Sequence, residues 1–167
     1  MKIGFAVPAA SSLAKATGTV VAAVFDGKVL GPAAKELDGL TSGAVARAVK
    51  NARFAGKKGE LFGFPAPAGL AANHVLLFGL GAPDKLDESA AEEAGGSVMG
   101  RLQSLRETKA TVFVALPGTA GLKPGNFAAH FAFGAHLRSY RFDKYRTKEK
   151  AEDKPLIAEV ADRKSVV

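Results

Sequence analysis

Val75-Leu-Leu-Phe78, followed by Gly79-Leu-Gly81, is an apolar run without alternation, closed by a glycine-rich turn. A strand solvated on one face alternates apolar and polar residues, so an unbroken run predicts a strand covered on both faces. Asn73 to Phe78 is read as that strand, and helices must flank it. Lys109-Ala-Thr-Val-Phe-Val-Ala-Leu116 has the same character and is closed by Pro117-Gly118. Lys2 to Val7 and Thr19 to Phe25 also read as strands, as does Glu60 to Phe64 before Pro65 and Pro67. Leu156 to Val160 reads as one further short strand.

Between these lie helical patterns. Asp87 to Arg106 carries Asp87, Glu88, Glu92 and Glu93 at its start and Arg101 and Arg106 near its end, the polarity that a helix dipole favours. Its apolar stripe is Ala91, Ala94, Val98, Leu102 and Leu105, and Gly95-Gly96 within it predicts close packing against the sheet. Val45, Ala48, Val49 and Ala52 form a second stripe, with Thr41 or Ser42 as the expected cap. Ala33 to Leu37 suits a short helical turn. A last helix follows Pro124, with Asn126 as its expected cap and a stripe of Phe127, Phe131, Gly134 and Ala135. Strands alternating with helices predict an α/β domain of three layers, α/β/α, around a mixed sheet.

The 167 residues suit one domain, and a composition of 47% hydrophobic and 23% charged residues excludes a disordered chain. Cysteine is absent, which excludes disulfides and thiolate chemistry and fits a reducing compartment. No apolar run approaches the roughly 20 residues of a membrane helix. The apolar start is short and broken by Pro8, so no signal peptide is expected. The expected location is the cytoplasm, with no membrane partner.

Little in the chain is arranged for chemistry. Gly79-Leu-Gly81-Ala-Pro-Asp84 lies where a glycine turn can approach phosphate, but a dinucleotide fingerprint needs a third glycine where Asp84 stands, and Pro83 lacks an amide donor. His130 and His136, six residues apart, point about 120° from each other on a helix, and His74 stands alone at a strand start, so no metal is assigned. The adjacent carboxylates Glu92-Glu93 and Glu152-Asp153 diverge by about 100° on a helix and cannot share an ion. Ser11-Ser12 lacks a nucleophile elbow. A net charge of +7 and the tail bearing Arg138, Tyr140, Arg141, Phe142, Lys144, Tyr145, Arg146 and Lys148 leave two readings. The favoured one is a helix end matched to its dipole, leading into a linker. The other is nucleic-acid contact through Arg138, Arg141, Lys144, Arg146 and Lys148, with bases stacked on the aromatic rings.

Three blocks together resemble the N-terminal domain of the leucyl aminopeptidases. Phe54-Ala-Gly56-Lys57-Lys58-Gly59-Glu60 is similar to the family's F-x-G-K-x-G-E turn, and Val75 to Gly81 to its V-L-L-V-G-L-G strand and turn. Gly134 to Lys148 is similar to its terminal block G-x-x-L-x-x-Y-x-F-x-x-Y-K/R-x-K. The resemblance implies a macro-domain-like domain over residues 1–148 and a linker over 149–167 towards a catalytic metallopeptidase domain. In the family that domain removes N-terminal amino acids from peptides using two divalent ions, Zn or Mn, and an N-T-D-A-E-G-R-like segment. This sequence has no such segment. The expectation is a non-catalytic domain, without catalytic residues or cofactor of its own, that helps to assemble a homo-oligomer, in this family a hexamer. Macro-domain kinship also raises ADP-ribose binding, for which no ligand residues are assigned.

Overall fold

The computed structural model describes the backbone of residues 2–6, 11–140 and 159–164 and the side chains of residues 13–140. Its elements run β1 (Lys2–Ala6), α1 (Ser11–Ala14), β2 (Thr19–Phe25), β3 (Val29–Leu30), α2 (Pro32–Leu40), α3 (Ala44–Asn51), β4 (Leu61–Pro65), β5 (His74–Gly79), a 3₁₀ turn (Pro83–Lys85), α4 (Glu88–Ser104), β6 (Lys109–Val114), α5 (Pro124–Ser139) and β7 (Glu159–Lys164). One seven-stranded sheet has the order β1-β7-β6-β2-β5-β4, with β3 paired to β2. Strands β1, β7, β6, β2 and β5 run parallel, and β4 and β3 are antiparallel to their partners. The sheet is mixed, as expected. Glu159–Lys164, within the stretch read as a linker, pairs between β1 and β6; it shares Glu159 and Val160 with the expected last strand, whose first three residues lie outside the described ones.

The two apolar strands at the centre explain the three layers. Side chains alternate across a strand, so a strand apolar at every position feeds two cores. Val21, Ala23, Phe25, Leu76 and Phe78 join residues of α4 and α5 in one core. Val20, Ala22, Val24, Val75 and Leu77 join Leu13, Ala33, Ala34, Leu37, Val45 and Val49 of α1, α2 and α3 in the other.

Helix ends depart from expectation. Helix α2 is a nine-residue helix rather than a single turn, because Pro32 starts it and three apolar residues bury one face. Neither Thr41 nor Ser42 caps α3. The Thr41 hydroxyl donates to the carbonyls of Leu37 and Asp38, and the amide of Ala46 instead donates to Asp38 Oδ1 at 2.8 Å. The carboxylate of one helix thus caps the next. The other end of α3 is held by Lys28, whose Nζ donates to the carbonyls of Val49, Lys50 and Ala52 at 3.0–3.1 Å. Asn126 does not cap α5, whose cap position is Lys123 with no side-chain bond. Asp87 does cap α4, accepting from the amide of Ala90 at 2.7 Å.

Gly95 corrects a further expectation, since it packs on α5 and not on the sheet. A Cβ there would collide with the carbonyl oxygen of Phe131 and lie 3.0 Å from the amide nitrogen of Ala135. A Cβ on Gly134 would in turn strike the carbonyl of Glu92, 2.7 Å from its carbon. The two helices therefore cross backbone to backbone, each through a glycine that lies against a carbonyl of the other. Gly96 is different, for its Cβ would find Gly134 O only at 3.7 Å. Gly95→Ala and Gly134→Ala are each expected to lower stability by about 1–3 kcal/mol through overpacking, whereas Gly96→Ala is expected to raise it by up to about 1 kcal/mol through helix propensity. Urea midpoints measure all three, and an equal loss in each would contradict the crossing.

Candidate functional site

Open α/β sheets hold ligands outside the carboxyl ends of their parallel strands, so the mouth formed after β2, β5 and β6 is the place to look for a site. Here the turn before β4, residues 55–59, lies against the ends of β2 and β5. At the end of β5 three successive amides are engaged: Gly79 N donates to Glu60 O at 2.8 Å, Leu80 N to Val24 O at 3.0 Å and Gly81 N to Gly56 O at 3.0 Å. Asp26 N donates to Gly81 O and Lys28 N to Ala55 O, both at 3.0 Å, which ties the β2–β3 hairpin to the same cluster. Gly121 N donates to Pro83 O at 2.9 Å and fastens the loop after β6. A Cβ on Gly79 would collide with the carbonyl of Lys57, so the turn and the strand end meet without a gap.

The turn carries its own anion. Glu60 Oε2 accepts from the amides of Ala55 at 2.8 Å and Lys57 at 3.1 Å. Its carboxyl is held below the ordinary carboxylate range, first by the Ala55 amide; desolvation, next in size, opposes this, and the Lys57 and Gly56 amides and the Lys57 charge add to the lowering. Amides so arranged are the kind that cradle a phosphate, and here a side chain of the chain itself occupies them. The two sequence blocks at 54–60 and 75–81 are therefore halves of one contact.

Two of the three histidines lie beside carboxylates. His130 Nδ1 is 2.8 Å from Glu92 Oε1 and its Nε2 is 3.6 Å from Glu88 Oε1, bridging α5 to α4, while His74 Nδ1 is 3.0 Å from Glu107 Oε1. His136 is exposed and does not converge with His130. Among the described residues no group of three or more His, Cys, Asp or Glu could hold a metal ion.

Of the tail cations, Arg138 is exposed and reaches over α4, its Nε 3.2 Å from where a Cβ of Gly100 would stand. With Gly96, Gly100, Arg101 and Ser104 it lines a shallow groove of about 650 Å³. Arg141, Lys144, Arg146 and Lys148 lie outside the described residues. Sequence reading missed Asp38, Lys28 and the clamp by Glu60. For Glu60 the signal was available, since a carboxylate directly after Gly-Lys-Lys-Gly is placed to accept from a tight turn.

Comparison with known proteins places this geometry. The model of the N-terminal domain of the cytosol aminopeptidase family matches residues 20–149. A probable cytosol aminopeptidase of Rhodopseudomonas palustris, strain BisA53, is 37% identical over 161 residues, which cover 96% of this chain and 31% of the relative. One from Caulobacter vibrioides is 38% identical over 144 residues, 86% of this chain and 28% of the relative. The chain thus spans about three tenths of the length of these relatives. Among solved structures, a tomato leucine aminopeptidase mutant superposes with a TM-score of 0.74 at 21% identity, covering all of this chain and 33% of that one. The macro domain of ganglioside-induced differentiation-associated protein 2 gives 0.71 at 14% identity, covering 98% of this chain and 77% of that one. A Trypanosoma brucei macrodomain in complex with ADP gives 0.69 at 13%, covering 99% and 64%. At these identities the structural likenesses show the fold, which is macro-domain-like.

A carboxyl held low stabilises the fold above its ordinary range, and that contribution is lost as pH falls through the lowered value. Glu60→Gln is expected to lower the thermal midpoint at neutral pH, and the gap to the parent chain should close as the pH is taken below the carboxylate range. A gap that persists unchanged at acid pH would show that the Glu60 charge does not clamp the turn.

Proposed function

The chain belongs to the cytosol aminopeptidase family, whose N-terminal domain it carries, and we propose that it is a non-catalytic domain that helps to assemble a longer metallo-aminopeptidase. What carries the reading is the end of β5, where the amides of Gly79, Leu80 and Gly81 donate to the chain's own carbonyls and those of Ala55 and Lys57 to Glu60.

In this reading the catalytic domain of the longer enzyme holds two divalent ions, Zn or Mn, and removes N-terminal amino acids from peptides. The passage towards that domain is placed beyond residue 148, with Glu159–Lys164 still paired to the sheet. The assembly is a homo-oligomer. The proposed compartment is the cytoplasm, in keeping with the relatives' name.

The test pairs two preparations, the chain alone and the chain joined to the Rhodopseudomonas palustris BisA53 relative in place of that enzyme's own N-terminal domain. The chain alone should not hydrolyse leucine p-nitroanilide with Mn or Zn added. The joined protein should turn it over and sediment as an oligomer, and the relative stripped of its N-terminal domain should sediment as a smaller species. Metal-dependent turnover by the chain alone would overturn the reading, as would an unchanged oligomer in the stripped relative.

A further inference from the structure

Helix α5 is apolar nearly all round. One face, centred on Phe127, Phe131 and Ala135, is buried in the core beside α4. At about 100° per residue, Phe133, Leu137 and Tyr140 point to the opposite side. They stand 51%, 56% and 64% exposed, one turn apart along a single stripe. The other large exposed hydrophobics, Val29 and Leu40, lie elsewhere in the fold. From Pro124 to Tyr140 there is no acidic residue, and Arg138 is the one full cation. A helix apolar on both sides is one that is covered on both sides.

We propose that the Phe133–Leu137 face of α5 is the seat of the catalytic domain of the same polypeptide, which covers it with an apolar patch rimmed by carboxylates facing Arg138. The inference rests on the function proposed above and adds the surface through which the domain acts. Two observations select this occupant over a second copy of the chain. Half-exposed side chains of this size offer roughly 300 Å² of apolar surface, well short of the approximately 800 Å² per partner that a stable interface between separate chains buries. A tethered domain, present at an effective concentration in the millimolar range, needs far less. The second is position. The relatives carry about seven tenths of their length outside the part matched here, and the matched part is the family's N-terminal domain, so the remainder follows β7, a strand in contact with α5.

The absence of cysteine makes the surface readable, because a single introduced thiol is the only one in the chain. Phe133→Cys, Leu137→Cys and, as a control, Val29→Cys are made in the chain alone and in its fusion to the Rhodopseudomonas palustris remainder. Maleimide labelling is followed by mass spectrometry of the peptide that bears each site, and far-UV circular dichroism checks that each variant is folded. At positions 133 and 137 labelling should be at least about tenfold slower in the fusion than in the chain alone, with position 29 unchanged. Equal labelling at 133 and 137 in an active fusion would overturn the proposal and leave the non-catalytic role standing. Labelling in the chain alone that slows with protein concentration would also overturn it, by naming a second copy as the occupant. Turnover by the unfused chain would remove the functional reading beneath both.

Discussion

The crossing of α4 and α5 through Gly95 and Gly134 is the constraint on which the rest of the structure depends. Each glycine lies against a backbone carbonyl of the other helix, so neither helix can shift along its partner without losing the fit. That fit sets how deeply Phe127 and Phe131 reach towards the sheet, where Phe131 packs against Phe78 at a ring separation of 5.5 Å. The bridge from His130 to Glu92 and Glu88 crosses the same seam. His130 and Glu92 are half-buried and Glu88 is exposed, and the glycine contact fixes the register that brings them together. The outer face of α5, and with it Phe133 and Leu137, is presented at an angle that this crossing decides.

On the opposite side of the argument stands the mouth of the sheet. Its closure by the 55–59 turn is a backbone affair, built from amides and carbonyls and finished by a single carboxylate. A backbone amide has one proton to give, and a buried donor already paired gains little by exchanging a protein carbonyl for a ligand oxygen. The fold is that of macro domains, yet the same architecture hosts unrelated functions according to what its loops present. In this chain the loops face each other. The family resemblance of the segments 54–60 and 75–81 then has a physical content, since each supplies what the other lacks.

How much of this could be read from the sequence depended on the range of the interaction. The central strand β2 was read with its observed limits, because Thr19 to Phe25 is apolar at every position after the first and the Asp26-Gly27 turn stops it. Asp87 was placed at the start of α4, where it caps, since a cap acts three residues away. The caps that failed were replaced over longer distances: Asp38 reaches α3 from α2, and Lys28 reaches its far end from the β2–β3 turn. No local pattern encodes such contacts. Gly95 and Gly96 were read together as a close approach to the sheet; only Gly95 makes one, and to α5, because a pattern along one helix does not say whether a sheet or a second helix lies against it. Among the site residues, only Arg138 falls where its surroundings are described, and it lies over α4 beside Gly100.

The central claim is that this domain has a closed mouth and acts through its surfaces. Isothermal titration with ADP-ribose tests it most directly, because the fold is shared with macro domains and the diphosphate is the ligand that the engaged amides would have to receive. The account predicts no heat of binding at millimolar ligand. Saturable binding with a Kd near 10 μM, worth about 7 kcal/mol, would contradict it.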